Sequence, residues 1–160
     1  MTLGIVLRTV VLVLLHLTLS VGLGLGAYTP DLMTLAVLLV ARRVEPTAGA
    51  LTGLGAGLLI DALNELSFGT AAVAMSVVGA LGSMSRDFFV GDSRLFVVLY
   101  IGLGSWVADL LVWTLSAAEL RGPAGRTLLV QAPLEAVYLA LFAVLTWPLL
   151  NPPEPEWKVV

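Results

Sequence analysis

Long apolar stretches, separated by short segments that carry most of the charged residues, run the length of this chain. Their approximate limits are residues 3–21, 27–41, 47–66, 70–85, 95–117 and 127–150. An α-helix needs about 20 apolar residues to cross the ~30 Å hydrocarbon core of a bilayer. The pattern therefore predicts six transmembrane helices in one compact domain over residues 1–150, followed by a short tail over residues 151–160.

The second stretch, residues 27–41, is short for a membrane span. At 1.5 Å per residue it reaches roughly 22 Å, so it must thin the bilayer or extend into the glycine-rich residues before it. Pro30 and Asp31 suit the start of a helix, and the pair Arg42 and Arg43 suits its end. A re-entrant segment at this position, which would leave five spans, is the alternative.

The composition supports a membrane protein. Apolar residues make up 59% of the chain and charged residues 12%, whereas soluble proteins have about 45–50% and about 25%. A water-soluble surface cannot be assembled from this chain, so the predicted fold class is an all-α integral membrane protein. We interpret the first stretch as a span and not as a cleavable signal, because Arg8 follows apolar residues and no A-x-A-like cleavage site follows the stretch.

The basic residues predict the orientation of the six spans. If the N-terminus is inside, six of the eight basic residues lie on or near the cytoplasmic side, as the positive-inside rule favours. These six are Arg8, Arg42, Arg43, Arg86, Arg94 and Lys158. Only Arg121 and Arg126 are then outside, and both termini are predicted to be cytoplasmic.

The third stretch contains a ladder of glycines that ends in a carboxylate. Gly49, Gly53, Gly57 and Asp61 are spaced four apart, and residues at this spacing lie one above another on a helix. Small residues let another backbone approach closely, so we expect this groove to pack a helix that Asp61 orients or hydrogen-bonds. That helix could belong to this chain, to a partner or to a second copy. Ligand or proton binding by Asp61, or snorkelling to the surface, are the alternatives.

Four ionisable residues fall in the outer half of the predicted spans, and we expect them to share an outward-opening polar pocket. They are His16, Asp61, Asp109 and Glu135. Simpler roles remain open for three of them. His16 could hydrogen-bond a neighbouring helix, Asp109 could reach water or Arg126, and Glu135 could satisfy backbone groups freed by Pro133.

Catalytic and cofactor chemistry finds little support in the chain. No metalloprotease, P-loop, nucleophile-elbow or dinucleotide motif is present. The single histidine rules out a multi-histidine metal site, and the absence of cysteine excludes disulfides and thiolate catalysis. The basic residues are few and scattered, which argues against nucleic-acid binding. We therefore predict a protein that is not an enzyme and needs no cofactor or metal.

A segment of the chain resembles the rod shape-determining protein MreD family. The segment runs from Tyr28 to Asp61, and its shared features are Pro30-Asp31-Leu32, a short apolar helix, Arg42-Arg43, Pro46, the glycine ladder with Asp61, and then Gly69-Thr70-Ala71. The family pattern after the third span is Gly-x-Asn-Ala, and Thr70 stands between Gly69 and Ala71 here. Any role assigned to an amide at that point is therefore in doubt.

The resemblance implies a function. It implies a non-enzymatic scaffold in the bacterial inner membrane that supports peptidoglycan synthesis and cell shape, surrounded by membrane lipids and bound to the single-span protein MreC. Through MreC it implies indirect association with the peptidoglycan synthase RodA, its class B penicillin-binding protein and the MreB filament. The same six-helix architecture also resembles the S-components of energy-coupling-factor vitamin transporters, which bind their ligand toward the outer face. The alternative is therefore a small-molecule-binding subunit of a transporter.

Overall fold

The computed structural model describes residues 3–18, 31–63, 69–85 and 94–145, and within these ranges the chain forms six helices and no β-strand. The helices are α1 (Leu3–Leu17), α2 (Leu32–Ala41), α3 (Pro46–Leu63), α4 (Thr70–Ser85), α5 (Arg94–Leu115) and α6 (Ala124–Leu145). Near its start α6 contains a π-helical stretch, Thr127–Gln131. The number of helices agrees with the sequence prediction, although α6 begins three residues earlier than expected. The predicted start of the second helix, residues 27–30, lies outside the described residues.

Three of the helices are long and apolar enough to cross a membrane. They are α3, the segment Leu95–Leu115 of α5, and α6, with 18, 21 and 22 residues. Helices α2 and α4 are also apolar but shorter, with 10 and 16 residues. The chain therefore has the helices of a membrane protein, as its composition predicts.

The shortest helix, α2, lies at the centre of the bundle. Nine of its ten residues are buried, and only Leu39 is partly exposed. It contacts each of the other five helices. A helix that is apolar on every side is stable only when it is surrounded, and α2 is surrounded by protein. Its short length therefore does not require the thinned bilayer that the sequence alone suggested, because little of α2 faces lipid.

Contacts around α2 fix the directions of its neighbours. Thr34 contacts Met75, and Leu38 lies beside Gly82, so α2 and α4 run parallel. The Tyr100 hydroxyl donates to the carbonyl oxygen of Leu38 over 3.0 Å, near the start of α5, so α5 runs the opposite way.

The Trp106 indole N–H donates to the Leu128 carbonyl oxygen over 3.1 Å, so the end of α5 meets the start of α6. Gly57 lies against Ala71, so the end of α3 meets the start of α4. One end of the bundle thus holds the starts of α2, α4 and α6 and the ends of α3 and α5. We call it the Asp61 end.

Candidate functional site

The buried face of α3 consists of the four residues predicted to form a groove, Gly49, Gly53, Gly57 and Asp61. The backbone of α4 lies directly against them. A Cβ atom added at Gly49 would lie 2.4 Å from the Gly79 carbonyl oxygen, one at Gly53 1.9 Å from that of Met75, and one at Gly57 2.3 Å from that of Ala71. Only glycine permits this approach, because ordinary contacts of a Cβ atom begin near 3.4 Å. The glycine ladder therefore packs within this chain, and α4 leaves no room there for a partner helix.

The α4 side of this contact is built from small residues as well. A Cβ atom at Gly79 would lie 2.1 Å from the carbonyl oxygen of Gly49, so the two glycines depend on each other. Ala71, Ala72 and Ala74 are also buried on α4. Small residues on both helices let the backbones touch over several turns, and in a membrane such close packing is a main source of helix association.

Asp61 caps the start of α4. Its Oδ2 accepts hydrogen bonds from the backbone N–H groups of Gly69 (3.0 Å) and Ala72 (2.9 Å), and its Oδ1 accepts one from Ala71 (3.0 Å). The first N–H groups of a helix have no partner inside the helix and carry partial positive charge. Asp61 is only 2% exposed, and these three bonds compensate the burial of its charge.

The turn before α4 contributes to this cap. Gly69 has a φ of +94°, a backbone conformation that residues with a side chain rarely adopt, and it brings its own N–H group to Asp61. Thr70 occupies the position where the MreD pattern has an amide, and the cap is made by backbone N–H groups on either side of it. Both oxygens of Asp61 are used inside the protein.

Asp31 has a similar role one helix away. Its Oδ1 accepts a hydrogen bond from the backbone N–H of Thr34 over 3.1 Å, and the Thr34 hydroxyl donates to its Oδ2. Asp31 is thus the N-cap of α2, as the sequence predicted for the start of this helix. The two aspartates between residues 28 and 61, Asp31 and Asp61, both cap helices.

Asp109 and Glu135 lie together in a cleft of about 270 Å³ between the end of α5 and the start of α6. The π-helical stretch contributes Thr127 and Gln131 to its wall, and such stretches are frequent at functional sites. Among the described residues, no donor reaches the buried Oδ2 of Asp109. Asp31 acts electrostatically on both carboxylates of the cleft, which places a third acidic group nearby.

Side chains around the cleft tie the connection between α5 and α6 in place. The indole N–H of Trp113 donates to the Gly122 carbonyl oxygen over 3.0 Å. Arg121 donates to the carbonyl oxygens of Thr114 (2.6 Å) and Ser116 (2.8 Å), and its guanidinium lies 5.3 Å from the centre of the Trp113 ring. The cleft is therefore a structured feature of the Asp61 end.

The four residues predicted to share a pocket do not all line this cleft. The structure brings Asp109 and Glu135 together. Asp61 instead accepts hydrogen bonds from the start of α4. His16 is half-buried near the end of α1 and is not among the residues that line the cleft. Sequence reasoning identified Asp31 as a helix start but did not associate it with the acidic pair. The available signal was that α2 and α6 begin at the same end of the bundle.

Comparison with known proteins finds no match for this chain. No protein-family model matches the chain. No curated protein matches it, and no solved structure matches its fold.

Proposed function

We propose that this chain is a non-enzymatic scaffold in the inner membrane of a rod-shaped bacterium, acting as MreD does and binding MreC. Through MreC it would act indirectly with RodA, its class B penicillin-binding protein and MreB in peptidoglycan synthesis. In this proposal all six helices span the membrane, both termini are cytoplasmic, and the Asp61 end faces outward.

The proposal rests on the structural role of the residues on which the resemblance to MreD is based. Asp31 caps α2, the three ladder glycines admit the backbone of α4, and Asp61 caps α4 with both of its oxygens. Each of these residues contacts or hydrogen-bonds a neighbouring part of the same chain and holds a helix in place. A motif that builds a rigid frame and leaves no free reactive group is what a scaffold needs.

In this proposal MreC binds outside the glycine groove. Because α4 fills the glycine groove, the MreC helix would contact an outer face of the bundle, and the groove would act by keeping that face in shape. Substitutions in the groove are then expected to weaken MreC binding indirectly, through loss of the α3–α4 contact.

Copurification with MreC tests the proposal. The chain would be expressed with tagged MreC in a rod-shaped bacterium depleted of its own MreD, and both cell shape and the amount of retained chain would be measured. The matched variants are Gly53→Ala, which meets the Met75 carbonyl, and Gly55→Ala, whose added Cβ meets nothing within 4 Å. We expect the parent chain and Gly55→Ala to retain MreC and restore rods, and Gly53→Ala to lose both. A parent chain that inserts normally but neither binds MreC nor restores rods would refute the proposal.

The cleft of Asp109 and Glu135 favours a second candidate, a subunit that binds a small solute. An acidic cleft at the proposed outer end is where an S-component-like protein would hold its ligand. Extraction of small molecules from the purified chain tests this. A single solute retained in equal amount to the protein, and lost in Asp109→Asn, would support the transporter subunit, above all if MreC does not copurify.

A further inference from the structure

An exposed surface of α6 carries hydrogen-bonding side chains in the middle of a membrane span. Gln131, Glu135 and Tyr138 all lie on it, and Tyr138 is 51% exposed. Glu135 is at the middle of the 22-residue helix Ala124–Leu145. At 1.5 Å per residue it is roughly 16 Å from the start of that helix, about half of the ~30 Å hydrocarbon core. On the outer surface of a bundle, this is the depth at which a carboxylate is most costly.

The exposed side of α4 shows, by contrast, a surface suited to lipid alone. Every exposed residue of α4 is apolar, namely Val73, Val77, Leu81 and Met84. Acyl chains offer no hydrogen bonds, and polar side chains within a membrane almost always face protein or a water-filled cavity. Glu135 lines the cleft, but Tyr138 does not, and within the described ranges neither side chain has a hydrogen-bond partner. Arg121 also lines the cleft, and its own hydrogen bonds go to carbonyl oxygens near the end of α5. A contact with protein explains the position of both Glu135 and Tyr138.

The spacing along this surface is that of a helix-packing seam. Gln131, Glu135, Tyr138, Phe142 and Leu145 follow one another at intervals of four, three, four and three residues. Residues at this repeat lie along one line of a helix and meet a partner helix in a left-handed pair. We call these five residues the α6 seam. Leu145 is 81% exposed, and Phe142 packs partly against the core. The repeat indicates that an α-helix covers this surface.

We propose that the α6 seam pairs with the same seam of a second copy of this chain. The seam contains both halves of a hydrogen bond, because the Glu135 side chain accepts while the Tyr138 hydroxyl and the Gln131 amide donate. A surface that carries its own donors and acceptors is self-complementary, which is what a two-fold symmetric dimer requires. This contact does not depend on the scaffold function proposed above.

The geometry of such a pair brings donor and acceptor together. Two copies in one membrane, related by an axis along the membrane normal, place their α6 helices side by side and parallel. A long side chain on a helix points back toward the N-terminus of that helix. The Tyr138 hydroxyl of each copy therefore extends toward the depth of Glu135 in the other copy, and two equivalent hydrogen bonds result.

Cysteine cross-linking of the full chain in membranes tests where the two copies meet. The chain has no native cysteine, so single cysteines report one position each. Gln131→Cys and Leu145→Cys lie on the seam, and we expect an oxidant to convert them to disulfide-linked dimers. Val130→Cys and Val144→Cys are the controls, because each is exposed and lies beside a seam residue in sequence but points to another side of α6. They should remain largely monomeric.

Sedimentation equilibrium in detergent measures the strength of the pair. Glu135→Leu removes the acceptors of both hydrogen bonds and should lower the association constant about tenfold. Tyr138→Phe removes the donors and should lower it by a similar factor. Glu135→Gln keeps a carbonyl acceptor and ends the repulsion between two carboxylates at one depth, so it should associate at least as strongly as the parent chain. Val137→Leu, at an exposed position off the seam, should leave association unchanged.

Four results would overturn the dimer. The first is a parent chain that stays monomeric, and the second is cross-linking at Val130 and Val144 that equals cross-linking on the seam. The third is an unchanged association constant in both Glu135→Leu and Tyr138→Phe, which would place the contact elsewhere. The fourth is a seam cysteine that cross-links to MreC and not to a second copy, which would support the scaffold and refute the dimer. An unaltered Tm in Glu135→Leu shows that lost association does not come from unfolding.

Discussion

The contact between Gly53 and α4 gives the sharpest prediction about stability. In Gly53→Ala the new methyl group would lie 1.9 Å from the Met75 carbonyl oxygen, where ordinary contacts begin near 3.4 Å. The obstacle is backbone and cannot rotate away, so the two helices must separate by roughly 1.5 Å. A gap of 0.5–1 Å already loses about a quarter to a half of a van der Waals contact. Overpacking of this kind typically costs about 1–3 kcal/mol, and we expect the upper part of that range because Gly49, Gly57 and Asp61 belong to the same contact.

Thermal unfolding in detergent, followed by the fluorescence of the four tryptophans, measures this effect. For a chain of this size, about 1–3 kcal/mol corresponds to a fall in Tm of roughly 3–10 °C. Gly55→Ala is the matched control on the same helix, because its added Cβ meets nothing within 4 Å. Alanine also favours a helix over glycine by about 0.5–1 kcal/mol, so this variant should melt at the same temperature or slightly higher. Equal Tm values for the parent chain and both variants would refute the close-packing argument.

Three further predictions test the cap, the core and the orientation. Asp61→Asn leaves one acceptor oxygen for three backbone N–H donors and turns an NH₂ group toward them. We therefore expect the free energy of unfolding to fall by about 1–3 kcal/mol, close to the loss in Asp61→Leu. An Asp61→Asn variant as stable as the parent chain would contradict the cap. Tyr100→Phe removes the hydrogen bond to the Leu38 carbonyl oxygen, which keeps a backbone N–H donor. The free energy of unfolding should therefore fall by only about 0.5–1 kcal/mol in the same measurement. A larger fall would mean that the hydroxyl has a further role. Because the chain has no native cysteine, single cysteines can report the orientation of the helices. A membrane-impermeant maleimide applied to intact cells should label Ser67→Cys, whereas it should label Thr47→Cys only after permeabilisation. Labelling of Thr47→Cys in intact cells would contradict the proposed orientation.

The helices and their special positions could be predicted from sequence because they depend on local spacing. Apolar length gave six helices, and the four-residue spacing of Gly49, Gly53 and Gly57 identified a face where a backbone comes close. Asp31 was recognised as a helix start because an acidic side chain before an apolar run suits the free N–H groups of a first turn. Each of these inferences needs only the geometry of one helix.

Only the tertiary structure showed which helix surfaces face each other. Spacing shows that Asp61 lies at the end of the glycine face, but it does not show that the start of α4 will bring three N–H groups to that carboxylate. Matched depth placed four ionisable residues in the outer half, yet depth along a helix says nothing of the direction in which each helix turns. The packing of α5 on α6 brought Asp109 and Glu135 into one cleft, and the packing of α4 on α3 used Asp61 elsewhere. Likewise, the short second stretch is stable as a helix because the five other helices surround it. That central position depends on contacts between residues far apart in the chain, which the sequence alone does not reveal.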